Sequence, residues 1–208
     1  MPEQSDLQKR VDELAEAIMG RKPYQSDSEE VEAEQAKNSG SASISSRELA
    51  ELRRLNPASP PAAFWRLLAD KVPRWLCHDD TAERAWGVVM QGMAIMGPGG
   101  HAPGIILGKA LRQVVRKLGA NSERAVESRL WKLLNSRGEP LEDQVRLMAR
   151  FLDSKEQCVD WLGLTQLLLA RSEAERDRVC RNLARTFYFA QSQPEPESHP
   201  EPRPESGD

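Results

Sequence analysis

The 208-residue chain contains only three cysteines, Cys77, Cys158 and Cys180, which are widely spaced and form no C-x-x-C pair. This spacing excludes a disulfide framework and a cysteine-rich zinc site, and it is typical of proteins from a reducing compartment. No apolar run approaches the roughly 18 residues that a membrane span needs, and the N-terminus lacks the apolar region of a signal peptide. We therefore predict a soluble, cytoplasmic protein that does not contact a membrane.

Catalytic signatures are also scarce. His199 lies near the C-terminus, His78 is interpreted as a surface residue, and His101 has no Ser, Cys or carboxylate close to it in sequence. His101 belongs to the loop GPGGHAPG, residues 97–104, which has neither the G-K-[ST] of a P-loop nor a preceding strand. We interpret this loop as a mobile connector or, alternatively, as a phosphate contact through backbone amides. The sequence thus predicts no enzyme, no cofactor and no metal site.

The middle of the chain has fewer acidic than basic residues, although the net charge of the whole chain is −3. Residues 1–44 hold ten acidic and five basic residues, and residues 190–208 hold five acidic and one basic residue. Residues 45–189 therefore keep 23 of the 29 basic residues but only 17 of the 32 acidic ones, a net charge of +6. The part of the chain that is expected to fold is basic, and the acidity lies in its flanks.

A stretch without any acidic residue, from Arg84 to Ser122, lies inside this basic region. Its segment 104–118 predicts a helix, because at 100° per residue six apolar side chains share one side: Leu107, Ala110, Leu111, Val114, Val115 and Leu118. Lys109, Arg112 and Arg116 occupy the opposite side. With no acid on this helix they cannot form intrahelical ion pairs. A polyanion is one candidate for their counter-charge, and three solvated cations on an exposed face are the alternative.

Further basic stripes follow in the C-terminal half. Arg178, Arg181 and Arg185 line the last helix, and the preceding helices carry Arg129, Lys132, Arg137, Arg146 and Arg150. Few aromatic residues are expected outside the apolar faces, so stacking platforms for single strands are not evident. Such a surface suits phosphate contacts that position a nucleic acid without reading its bases. The alternative is a helical protein-interaction adaptor whose basic faces dock on acidic partners.

The apolar pattern and the composition also predict the structure of the outer parts of the chain. Residues 1–21 contain an amphipathic helix that docks on the protein's own core or on a partner. Residues 22–44 are polar, acidic and serine-rich, which predicts a disordered linker. Residues 191–208 are rich in Pro, Glu and Ser and predict a disordered tail.

Between the linker and the tail we predict two helical domains. Residues 45–119 form the N-terminal domain, which begins with Ser45 or Ser46 as a helix cap. It continues after Pro61 with a core face of Phe64, Leu68, Val72 and Trp75, and a buried helix follows over 80–96. Residues 120–190 predict an antiparallel four-helix bundle, with helices at 121–136, 141–153, 156–170 and 172–190. No stretch alternates with period two, so the predicted fold class is all-α.

Five short segments, in order along the chain, resemble the CasB family, the small subunits of the type I-E CRISPR Cascade complex. They are Leu52-Arg53-Arg54-Leu55, the segment 61–68 (PAAFWRLL), the segment 104–111 (GIILGKAL), Glu127-Ser128-Arg129-Leu130 and Val159-Asp160-Trp161. The likeness covers residues 47–190. It implies an all-helical protein without catalytic activity, with a second copy of itself stacked beside it along the inner face of the complex.

The resemblance also implies partners and contact residues. The partners are the CRISPR RNA, the target DNA, the displaced DNA strand, and the backbone and large subunits of Cascade. Base pairing reads the sequence in such systems, so the protein needs only sequence-blind contacts to stabilise the R-loop. The basic positions that match those of the family are Arg54, Lys109, Arg129, Arg137 and Arg150, and the helical pattern adds Arg112 and Arg116.

Overall fold

The computed structural model describes residues 2–20, 44–57 and 59–189. Within these residues the chain forms nine α-helices and no β-strand, which confirms the predicted all-α fold. They are α1 (Pro2–Met19), α2 (Ser46–Arg53), α3 (Ala62–Lys71), α4 (Asp80–Met96), α5 (Leu107–Leu118), α6 (Glu123–Asn135), α7 (Gly138–Asp153), α8 (Leu162–Leu169) and α9 (Glu173–Phe189). The predicted linker, apart from Ile44, and the predicted tail lie outside the described residues.

Local side-chain chemistry explains where the helices begin and end. The Ser45 hydroxyl accepts a hydrogen bond from the Glu48 amide at 3.3 Å, and the Glu48 carboxylate accepts one from the Ser45 amide at 2.9 Å. This capping box starts α2 and confirms the predicted cap. The Asp79 carboxylate caps α4 by accepting from the Ala82 amide at 2.7 Å. α4 ends at Gly97, whose φ of 63° is left-handed.

We expect the Glu48 carboxylate to titrate at an unusually low pH. Hydrogen bonds from the Ser45 amide and hydroxyl, followed by one from Arg66 at 2.6 Å, lower the pKa of Glu48 to about 2. A carboxylate with a depressed pKa stabilises the fold above its ordinary pKa of 4.5, and this contribution is lost as the pH falls towards 2. An NMR titration of the Glu48 side chain should therefore have its midpoint near pH 2.

The Ser45→Gly variant provides the comparison, because it removes the hydroxyl and keeps the backbone amide. Its Glu48 midpoint should lie above that of the wild type. An unchanged midpoint in the variant, or a wild-type midpoint near 4.5, would contradict the capping box as the cause.

α4 runs through the centre of the hydrophobic core. Its side chains Trp86, Met90 and Met93 are completely buried, and the Trp86 indole N–H donates to the Leu76 carbonyl at 3.0 Å. The helix contacts α1, α2, α7 and α8. Full burial of a large apolar side chain stabilises a fold by roughly 1.5–3 kcal/mol, so the buried side chains of α4 make it a major part of the core.

α1 packs on this core rather than standing apart. Val11 and Leu14 are completely buried, and α1 contacts α3, α4 and α8. Polar contacts add to the packing, since Asp12 lies 2.9 Å from the His101 imidazole and Gln8 donates to Asp160 at 3.4 Å. The first of the two positions predicted for this helix, on the protein's own core, is confirmed.

The hydrophobic core continues across residue 119, the predicted domain boundary. α4 packs on α7 and α5 packs on α9, so buried residues from both sides belong to one cluster. The same boundary is bridged by the Arg84 guanidinium, which contacts Glu142 at 2.6 Å and Glu139 at 2.9 Å. The division into two domains and the four-helix bundle stay predictions, but the two parts share one core.

Some predicted details differ from the structure. The helix predicted over 156–170 begins only at Leu162, because Val159 instead forms an isolated parallel β-bridge with His101. Trp75, predicted as part of a core face, is 46% exposed. Pro73 ends the preceding helical pattern, and Trp75 follows it in a one-turn 3-10 helix that turns the ring outward.

Candidate nucleic-acid interface

The position of α5 is fixed by its apolar face and by one glycine. Leu107, Leu111 and Val114 are completely buried. Gly108 faces α9 so closely that a Cβ atom added there would lie 2.5 Å from the Leu183 carbonyl oxygen. The backbones of the two helices therefore lie in close contact, which fixes α5 against α9.

The three cations predicted on α5 have different environments. Lys109 and Arg116 are exposed. The Arg112 side chain is only 11% exposed, and its Nη1 atom lies 2.5 Å from the Glu123 carboxylate of α6. Its guanidinium also lies 5.7 Å from the centre of the Phe187 ring of α9. The counter-charge of Arg112 is thus an acid just beyond the acid-free stretch, and Arg112 joins α5, α6 and α9 rather than facing outward.

Arg129 and Arg150 lie on a different side of the molecule. Arg129 of α6 projects towards α7, where its guanidinium carbon is 4.7 Å from the centre of the Phe151 ring. Arg150 directly precedes Phe151 in the chain, and both arginines are exposed. A cation–π contact of this kind restricts the arginine without neutralising its charge, so this pair presents positive charge at the α6/α7 surface.

The remaining two predicted residues are not joined to these groups. Arg137 precedes α7 and donates to the Leu134 and Ser136 carbonyls, and its Nη2 atom lies 3.4 Å from Glu173. Its charge is therefore partly neutralised within the chain. Arg54 is the exposed C-cap residue of α2. The structure thus separates Arg112 from the exposed Lys109 and Arg116 of α5, places Arg129 and Arg150 at the α6/α7 surface, and leaves Arg54 at the end of α2.

Several residues beside α5 were not among the predicted contacts. Tyr188 of α9 accepts a hydrogen bond from the Trp131 indole of α6 at 3.1 Å, so α6 and α9 meet at the surface. Arg185 and Arg181 precede Tyr188 by three and seven residues on one helical face, and Arg124 precedes Trp131 by seven. We call the surface formed by these exposed cations and Lys109 the α5/α9/α6 face: Lys109, Arg124, Arg181 and Arg185.

Residues 48–188 match the model of a family described as CRISPR-associated protein Cse2. The chain belongs to the Cse2 family. This confirms the resemblance found in the five sequence segments, and all seven predicted contact residues lie within the matched range. No curated protein sequence is significantly similar to the chain.

Solved structures share the fold of this Cse2-family protein. CasB from Thermobifida fusca is 18% identical with a TM-score of 0.59, and the match covers 89% of this chain and 97% of that one. A Cse2-family protein from Thermus thermophilus is 22% identical with a TM-score of 0.54, over 88% and 97% of the two chains. CasB from M. ruber is also 22% identical, with a TM-score of 0.51, over 72% and 87%.

The glycine-rich loop of this Cse2-family protein is tied to its surroundings. The Gly104 amide, which could have met a phosphate, donates instead to the Asp160 carboxylate at 2.8 Å. The Ala102 amide donates to the Val159 carbonyl at 3.1 Å, and the Val159 amide donates to the Gly100 carbonyl at 3.0 Å. His101 is held by Asp12. The alternative prediction of a phosphate contact at this loop is therefore wrong for the Gly104 amide, because a carboxylate already occupies it.

Within residues 2–20, 44–57 and 59–189, no group of three or more His, Cys, Asp or Glu side chains could hold a metal ion. In the same part of the chain, no helix combines the length and the apolar composition that crossing a bilayer requires.

Proposed function

We propose that this Cse2-family protein is a non-catalytic small subunit of a type I-E CRISPR surveillance complex, Cascade. In that complex it binds nucleic-acid backbone without sequence specificity, and it stabilises the R-loop formed by guide RNA and target DNA together with the displaced strand. Its partners are then the CRISPR RNA, both DNA strands, the backbone and large subunits, and a second copy of itself.

The observation that carries this proposal is the α5/α9/α6 face. Lys109, Arg124, Arg181 and Arg185 are exposed on three helices that are locked together by the Gly108 contact and by the Arg112 ion pair with Glu123. Rigid helices hold the backbones of these four residues at fixed separations, so a phosphate chain has only their side chains to order on binding. Contacts of this kind depend on charge and release counterions, and they position a strand without reading its sequence.

Sequence-blind contacts are sufficient for this task. The RNA–DNA hybrid of an R-loop is about as stable as the DNA duplex that it replaces, so modest contacts with the backbone shift the balance. Arg129 and Arg150 present a second basic surface at α6/α7, which suits a separate strand or a separate segment of the same strand. Basic surfaces on two sides favour an assembly that surrounds the protein with nucleic acid.

Charge reversal on the α5/α9/α6 face tests the proposal. In a reconstituted complex, the double variant Lys109→Glu/Arg185→Glu should form a less stable R-loop than the wild type. The plot of log K against log salt concentration has a negative slope, and the magnitude of this slope should fall by about 1 for each phosphate contact removed. Arg112 is left unchanged because it holds the helices together. Arg116 is left unchanged because it is not part of the α5/α9/α6 face. R-loop formation is measured by a salt titration with labelled target DNA.

The matched control changes the net charge equally at positions away from this face. Lys9→Glu/Arg47→Glu reverses two exposed cations of α1 and α2, each of which has an acidic neighbour one turn away, Glu13 and Glu51. This control should keep the wild-type salt slope. An equal loss in both double variants would show that overall charge matters rather than this face. An unchanged R-loop in Lys109→Glu/Arg185→Glu would remove the face from the function.

A further inference from the structure

Three large aromatic side chains are exposed beside the basic residues of α6 and α9. Trp131 is 45% exposed, Tyr188 is 38% exposed and Phe189 is 67% exposed. Single exposed apolar residues are common on protein surfaces, but adjoining aromatic rings point to a binding site. We call these three residues the aromatic platform.

Hydrogen bonds fix two of the three rings of the platform, those of Trp131 and Tyr188. The Trp131 indole donates to the Tyr188 oxygen at 3.1 Å, and the Tyr188 hydroxyl donates to the Glu127 carboxylate. That second hydrogen bond raises the pKa of Tyr188 above its ordinary value. The Tyr188 ring also packs edge-on against buried Phe187, with centroids 5.2 Å apart. The polar atoms of both rings are satisfied within the protein, which leaves ring surface available to a ligand without loss of orientation.

Charge around the platform indicates the chemistry of that ligand. Arg124 lies on the Trp131 face of α6, and Arg181 and Arg185 lie on the Tyr188 face of α9, all of them exposed. Glu127 is the acid within the platform, and it is already engaged by Tyr188. A ligand that matches this surface has flat apolar groups for the rings and a negatively charged chain for the arginines. Single-stranded nucleic acid has both features, whereas a duplex keeps its bases stacked inside.

We propose that the aromatic platform stacks unpaired bases of a single-stranded nucleic acid while Arg124, Arg181 and Arg185 hold its phosphates. This inference rests on the proposed function and narrows it, because it assigns this face to a strand whose bases are free. A protein that covered the rings would also have to provide acids for three exposed arginines. A nucleic-acid strand provides them at regular intervals along its own backbone.

The experiment compares the protein's affinity for a DNA strand with bases and for an abasic strand of equal length. The difference between the two affinities measures base stacking, because both strands carry the same phosphate charge. The probes are oligothymidine of about 16 nucleotides and its abasic counterpart, a length at the upper end of ordinary single-strand sites. Trp131→Ala should lower the affinity of the full-length protein for oligothymidine about tenfold, within the range for loss of one stacked base. Its affinity for the abasic strand should be unchanged. Trp131→Phe should restore most of the loss, because phenylalanine keeps a ring for stacking.

A tryptophan of equal exposure serves as the control. Trp65 of α3 is 46% exposed and lies outside the platform, so Trp65→Ala should bind both strands as the wild type does. If the wild type bound the abasic strand and oligothymidine equally well, the platform would not stack bases, although backbone binding would stand. If the wild type bound neither strand at low salt, the proposed function itself would fail. If Trp131→Ala impaired only assembly with protein subunits, the platform would be a protein-docking surface and the inference would be overturned.

Discussion

Replacement of Gly108 by alanine is expected to destabilise the protein by about 1–3 kcal/mol, the usual cost of overpacking a close contact. The added methyl group would lie 2.5 Å from the Leu183 carbonyl oxygen and 2.5 Å from the Phe187 amide nitrogen, and it would also meet the Thr186 hydroxyl. Two of these three atoms belong to the backbone of α9, so no change of rotamer can remove the contact. The helices must separate, which opens the core beneath Leu111.

Thermal unfolding measures this effect. For a chain of this size each kcal/mol corresponds to roughly 2–4 °C in Tm, so Gly108→Ala should unfold several degrees below the wild type. R-loop stabilisation should decrease with it, because Lys109 is the next residue on α5 and shifts relative to α9 when the helices separate. The variant thus tests whether the α5/α9 contact supports the basic face as well as the fold.

Gly87→Ala in α4 is the control, because its expected effect on stability has the opposite sign. A Cβ atom at Gly87 would lie 3.5 Å from a Leu55 methyl group and 3.6 Å from the Phe64 ring, which is ordinary packing distance. Since alanine is favoured over glycine within a helix by about 1 kcal/mol, Gly87→Ala should be neutral or stabilising. A Tm for Gly108→Ala equal to that of Gly87→Ala would contradict the close approach of α5 and α9.

The sequence predicted the helices because their apolar faces repeat with the helical period, and helix α4 was predicted with its observed bounds. It could not predict which helices would touch. Gly108 shows why, since a glycine inside a helical pattern reads as a weak point until a facing backbone is known. The 156–170 segment was extended too far for a related reason. Val159 pairs with His101, and that contact across the fold outweighs the local preference for a helix.

The contact residues stay predictions, but the environment of one of them, Arg112, differs from what its helical pattern indicated. Arg112 has no acid on its own helix, but Glu123 lies only eleven residues further along the chain, across the turn into α6. A helical pattern relates only residues of the same helix, so it does not show that an acid on the next helix lies close to Arg112. The aromatic platform was missed similarly. In the helical pattern Trp131 lies off the apolar face that carries Leu130 and Leu134. This offset was a signal in the sequence that its ring is exposed.

Replacement of buried Arg176 by methionine is expected to cost about 2–4 kcal/mol, because two backbone carbonyls lose a charged donor. Arg176 is 5% exposed, and its Nη2 atom donates to the Leu134 carbonyl at 2.7 Å and to the Ser136 carbonyl at 2.6 Å. These carbonyls belong to the C-terminal end of α6, where no further turn of helix can satisfy them. Burial lowers the pKa of the guanidinium, which shows that its charge is partly desolvated.

Desolvation of Arg176 offsets part of what the hydrogen bonds contribute, so the measured loss reports the balance between the two. Methionine fills much of the same space and avoids a cavity, so the main cost is the loss of the two short hydrogen bonds from Arg176. The longer hydrogen bonds from Arg137 to the same carbonyls, at 3.3 and 3.2 Å, replace them only in part. Urea unfolding should place the midpoint of Arg176→Met well below that of Arg178→Met, a change at an exposed arginine of the same helix that should stay within about 0.5 kcal/mol of the wild type. Arg176→Lys should lie between them, since one ammonium group reaches the two carbonyls less well than a planar guanidinium. Equal midpoints for Arg176→Met and Arg178→Met would show that the C-terminal end of α6 is stable without this donor, and the Trp131–Tyr188 hydrogen bond and apolar packing would then hold α6 on α9.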